Sequence, residues 1–171
     1  LVLLNTYYGW NSARMPPILK MLHAPYAGRL LRRIIDVGKP ALAQRLFRWQ
    51  IDRLWGKRTP LSDQLTRTFH EMFAASAASR RAFHRINDDL VSQINANQRT
   101  LDLLADLRCP TLILWGGRDP YLRPHVARQF HRLIPNTELR IFEESGHFVQ
   151  VEAAEEVAQA IVEFIRGDAK A

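Results

Sequence analysis

The strongest constraint in this 171-residue chain is a repeated pattern in its last third. Thr111–Trp115 is a short, almost wholly apolar run that ends in Gly116-Gly117, and Leu139–Phe142 is a second short run. Each is followed by a helical stripe. Val126, Phe130, Leu133 and Ile134 mark the first, and Val157, Ile161, Phe164 and Ile165 the second. An apolar run of strand length with no polar alternation predicts a strand buried on both faces. Strand, helix, strand, helix then predicts a parallel pair joined by a right-handed crossover. Glu155 and Glu156 fall in the first turn of the closing helix, where carboxylates oppose the positive end of the helix dipole.

Parallel sheets bind ligands beyond the carboxyl ends of their strands. Asp119 follows the first run through Gly-Gly-Arg, and His147 follows the second through Glu143-Glu144-Ser145-Gly146. On adjacent strands, both loops leave from one rim. A carboxylate there accepts the Nδ1–H of the imidazole, sets its tautomer and stabilises its cationic form.

The segment Cys109-Pro-Thr-Leu-Ile-Leu-Trp-Gly-Gly-Arg-Asp119-Pro resembles the seventh-strand and acid-loop signature of the α/β-hydrolases. Glu144-Ser-Gly-His147-Phe, with a Glu-rich helix start and an apolar helix behind it, is similar to that family's histidine loop and final helix. Asp119 before His147 agrees with the family order of nucleophile, acid, histidine. The resemblance implies an α/β fold: the C-terminal portion of a parallel α/β-hydrolase sheet with a large helical cap insertion. It further implies that residues 1–6 are the sixth core strand, 7–105 the helical cap, and 106–171 the C-terminal core. Asp119 and His147 are the catalytic residues it points to.

Helical patterning fills the middle of the chain. Met15–Leu22, Tyr26–Ile35, Ala41–Trp55, a helix opening at Thr59-Pro60, Arg80–Ile94 and Arg99–Ala105 are the expected pieces. Leu65, Phe69, Met72 and Phe73 are expected on one buried side. Leu1–Asn5 reads as a buried strand needing a neighbour on each edge, and few candidates exist here. The chain therefore reads as a piece of a longer protein, needing an N-terminal core segment to complete the fold, and poorly soluble alone.

That reading carries a specific gap. None of the six serines has elbow glycines at the GxSxG spacing, and no equivalent elbow with Asp or Cys occurs. Without a nucleophile, Asp119 and His147 have nothing to activate, so the isolated chain is expected to be inactive. In the full-length protein the expected function is hydrolysis of an ester-like or other small hydrophobic substrate through a nucleophile-His-Asp triad. The alternatives are an epoxide hydrolase or haloalkane dehalogenase with an Asp nucleophile, or a non-catalytic binding protein on the same fold. Tyr7, Trp10 and Phe148 are candidates to line the substrate pocket.

Other classes are disfavoured. The net charge of +7 raises the question of nucleic acid. However, residues 1–105 carry 16 basic and 7 acidic side chains, and residues 106–171 carry 8 and 10. The excess sits on helix-like segments, as at Arg29, Arg32 and Arg33, where solvated faces explain it, so no nucleic-acid partner is expected. No apolar stretch reaches the roughly 18–20 residues that span a bilayer. The lone Cys109 excludes an internal disulfide, fits a reducing cytoplasmic setting, and is expected to be buried at the start of its strand. His23, His70, His84, His125 and His131 are dispersed, so neither a metal nor a cofactor is expected.

Overall fold

A computed structural model describes residues 1–6, 8–9, 17–37, 40–56, 61–74 and 77–167. The chain divides into two compact units. The first comprises Leu1–Tyr8, Leu54–Pro60 and Gln98–Ala171; the second comprises Gly9–Arg53 and Leu61–Asn97.

The first unit is built on a parallel sheet of β1 (Val2–Leu4), β2 (Thr111–Gly116) and β3 (Thr137–Phe142), in that order. Val2 stands beside Leu112, and Thr111 beside Thr137. All six residues of β2 are buried, because the strand is central and covered on both faces. Alternation of side chains sorts them into two layers. Leu112 and Leu114 join Val149, Ala153, Val157 and Ala160 from α7 (Val149–Glu152), α8 (Ala154–Arg166) and their junction. Trp115 belongs to the opposite layer, its ring 6.2 Å from Phe130 of α6 (Pro124–Leu133). The predicted parallel pair is therefore present, with a third strand beside it.

Two expectations fail at the margins of this unit. Ile165 is 75% exposed, because it lies on the outer side of the last turn of α8. Cys109 is also exposed, since it sits two residues before β2, outside the covered part of the sheet.

Among the described residues, the regular elements of the second unit are helices: α1 (Pro17–Leu22), α2 (Ala27–Val37), α3 (Pro40–Leu54), α4 (Asp63–Ala74) and α5 (Ala77–Gln98). Leu22, Leu31, Ile51 and Ile94 are its described buried apolar residues. The helix start read at Thr59-Pro60 lies outside the described residues. Observed α4 begins at Asp63, with the Ser62 hydroxyl accepting the Leu65 N–H at 3.0 Å, an N-cap bond. Of the stripe expected on α4, Leu65 is half-buried, and the side chains of Phe69 and Phe73 lie outside those described. Met72 is 67% exposed, while Thr66 is buried and donates its hydroxyl to the Ser62 carbonyl at 3.0 Å. Leu101–Asp106, in the first unit, is a 3-10 helix.

Ion pairs engage some of the basic residues of this unit. Arg32 on α2 pairs with Asp88 on α5, and Asp36 accepts from His84 at 3.0 Å. Arg48 is paired with Asp63 and lies near Asp52. The Arg32 hydrogen bond holds the Asp88 carboxyl below its ordinary value, against the opposing effect of desolvation. Among the described residues, no helix is long and apolar enough to cross a membrane.

Candidate functional site

Asp119 and His147 meet where the loops after β2 and β3 are stitched together. Gly117 N–H donates to the Phe142 carbonyl at 2.9 Å, and Arg118 N–H to the Ser145 carbonyl at 2.9 Å. At the surface, Arg118 grips Glu144 through two bonds of 3.0 and 2.9 Å, which raise the guanidinium above its ordinary value. Solvent screens that pair, so its contribution is alignment more than stability. Trp115 closes the acid loop from below, its Nε1–H donating to the Leu122 carbonyl at 2.6 Å.

Asp119 is only 2% exposed. Its Oδ1 accepts the backbone N–H of Tyr121 and of Leu122, each at 2.9 Å. Its Oδ2 accepts Nδ1–H of His147 at 2.7 Å and Nδ2–H of Asn5 at 2.8 Å. A carboxylate can only accept, so His147 carries its proton on Nδ1 in this pair. The imidazole is 29% exposed, and with Nδ1 engaged, Nε2 is the nitrogen through which it can act on another group. Four bonds hold the buried carboxylate in one rotamer, and the imidazole plane follows it. Such an arrangement can orient a general base and stabilise its cation.

Asn5 is the residue that sequence reasoning missed. In the sequence it stands only as the polar end of the run Leu1–Asn5. It is buried at 6%, just beyond β1, with a positive φ of 33°. Its side chain bridges two elements: Nδ2–H donates to Asp119, and Oδ1 accepts Gly116 N–H at 2.9 Å. Asn adopts positive φ more readily than most residues, and a polar residue ending an apolar run was the available signal.

Phe148 is half-buried beside the imidazole, its ring centroid 5.2 Å from that of His147 and 6.2 Å from that of Trp55. Tyr7 and Trp10, the other two aromatic candidates, lie outside the described residues. Among the described residues, no group of three or more His, Cys, Asp or Glu side chains could hold a metal ion.

The model of the Alpha/beta hydrolase family matches residues 2–160. The chain belongs to that family. This agrees with the fold. Within the α/β-hydrolases, the chain is 29% identical over 100 residues to 2-hydroxy-6-oxononadienedioate/2-hydroxy-6-oxononatrienedioate hydrolase 2 of Pseudomonas putida. That match covers 56% of this chain and 35% of the relative. Two solved structures share the fold. One is 2-hydroxy-6-oxo-6-phenylhexa-2,4-dienoate hydrolase from Rhodococcus sp., with a TM-score of 0.71, 18% identity, and coverage of 96% of this chain and 54% of that one. The other is a thermophilic esterase from Thermogutta terrifontis, with a TM-score of 0.69, 24% identity, and coverage of 98% and 55%. The chain thus spans about half the length of these solved hydrolases.

Proposed function

We propose that His147 and Asp119 are two members of a nucleophile-His-Asp triad, whose nucleophile lies outside these 171 residues. The observation that carries the reading is the 2.7 Å bond from His147 Nδ1–H to a carboxylate that is almost wholly buried. In this reading His147 Nε2 takes the proton from the nucleophile, or from water in the second step. Asp119 keeps the ring in the productive tautomer and stabilises the imidazolium that forms. The helical second unit is the cap, and Phe148 lines the pocket for a small hydrophobic substrate.

The reaction class follows from the nucleophile. A serine forms an acyl-enzyme with an ester, whereas an aspartate forms an alkyl-enzyme ester with an epoxide or haloalkane. The name of the Pseudomonas relative adds 2-hydroxy-6-oxo-dienedioates as a substrate class to try. The test is expression together with the upstream coding sequence, and assay on a nitrophenyl ester, a 2-hydroxy-6-oxo-dienoate and an epoxide. His147→Ala is expected to lower kcat by about 10²–10⁴-fold, and Asp119→Asn to lower it as well. Turnover left intact by both changes would overturn the proposal and favour a binding protein.

A further inference from the structure

A second carboxylate near His147 is as buried as Asp119, yet it takes no part in the acid–histidine pair. Glu152 is 2% exposed and ends α7. Its side chain turns back over the first turn of its own helix and accepts three backbone N–H groups. Oε2 receives Gly56 N–H at 2.7 Å and Gly146 N–H at 2.9 Å; Oε1 receives Phe148 N–H at 3.3 Å. Two of the three donors flank His147 directly. The third belongs to the short segment that follows α3 and rejoins the first unit at Leu54.

His147 is tied to that same segment by its own backbone, its N–H donating to the Leu54 carbonyl at 2.7 Å. Approach this close requires bare backbone on both sides. A Cβ on Gly56 would stand 2.5 Å from Gly146 N and 2.3 Å from the Glu144 carbonyl oxygen. A Cβ on Gly146 would stand 2.2 Å from the Leu54 carbonyl oxygen and 2.5 Å from Gly56 N. One on Gly116 would run into the Gly146 carbonyl oxygen at 1.8 Å. Backbone atoms cannot swing aside as a flexible side chain does. Three segments of different origin are thus stacked backbone to backbone, and amides buried there need acceptors. Glu152 supplies them.

We propose that Glu152 is a positioning residue for His147: with Gly56 and Gly146 it clamps the histidine loop to segment 54–56. Removing its oxygens leaves buried N–H groups unpaired, and the loop is then free to shift against segment 54–56. The imidazole would drift relative to Asp119 without any change in either side chain. This inference rests on the acid–histidine reading for its purpose, but not for its geometry.

The test is hydrogen–deuterium exchange at single-residue resolution on the chain expressed together with its upstream coding sequence, combined with the rate at which diethyl pyrocarbonate modifies His147. In Glu152→Ala, exchange at Gly56 and Gly146 is expected to speed up by about tenfold or more. Exchange at Leu112–Trp115 should hold, and His147 should be modified severalfold faster while His23 and His70 are not. Glu152→Gln keeps one carbonyl oxygen for the Gly56 and Gly146 amides, so it should retain most of the protection there. It also covers the case in which the alanine variant fails to fold. Glu152→Asp is too short to reach and should resemble alanine. Unchanged protection at Gly56 and Gly146 in the aspartate variant would overturn the clamp, as would equal acceleration throughout β2. Asp119→Asn separates the two ideas. It should alter His147 reactivity and leave Gly56 and Gly146 protected, so unaltered reactivity would sink the acid–histidine pair alone.

Discussion

At the scale of single residues, the site is a problem in satisfying acceptors. Asp119 presents two oxygens to a nearly dry interior and receives four donors. Asn5 is the donor that comes from another strand, and it is held at φ 33°, where most side chains are strained. Its two roles can be separated by substitution. Asn5→Gly accepts the backbone angle but loses both side-chain bonds, whereas Asn5→Leu loses the bonds and adds strain. Each lost buried bond is expected to cost about 1–3 kcal/mol. The leucine variant should therefore unfold at a lower urea concentration than the glycine variant. Equal midpoints would mean that the backbone at position 5 relaxes and carries no strain.

At the scale of elements, β2 organises the first unit, and in the second a seam of ion pairs joins α2 to α5. Leu114 is fully buried on the layer shared with α7 and α8. Leu114→Ala should cost about 2–5 kcal/mol, measurable by denaturant unfolding, and a loss below 0.5 kcal/mol would mean that α8 is not seated there. The seam responds to acid. The Asp88 carboxyl is held below its ordinary value of 3.8, chiefly by the hydrogen bond from Arg32. A depressed folded value means that the stabilisation is complete above about 3.8 and is lost as pH falls through the lowered value. Both side chains are partly exposed, so the pair is worth less than about 1 kcal/mol. Circular dichroism melts at neutral pH and below pH 3.8 should show a small acid destabilisation that shrinks in Asp88→Asn. An equal acid loss in that variant would assign the effect to other carboxyls.

At the scale of the whole molecule, the sheet has an asymmetric environment. Among the described residues, β1 has β2 on one edge and no strand on the other, and its residues are only half-buried. A parallel strand with open donors and acceptors along one side is a template for pairing with another chain. The 171-residue chain alone is therefore expected to self-associate as its concentration rises. Sedimentation velocity would show this, and a single monomeric species across a wide concentration range would contradict it.

What the sequence determined by itself were the features that rest on local pattern. The almost wholly apolar run at 111–115 predicts a strand covered on both sides, and the interval from Asp119 to His147 predicts two loops on one rim. Both depend only on side-chain period and strand direction, which neighbours in the chain dictate. Tertiary structure decided the features that depend on distant partners. Glu152, Glu155 and Glu156 are indistinguishable in a Glu-rich helix start, yet Glu152 is buried and Glu155 is exposed. The difference is that the amides of Gly56, Gly146 and Phe148 converge on one of them. Asn5 looked inert because its partners, Gly116 and Asp119, lie more than a hundred residues away. The closeness of Gly56 to Gly146 has no local signature in the sequence. Periodicity reports which side of an element meets the core, but a buried hydrogen bond is made with whichever group the fold brings alongside.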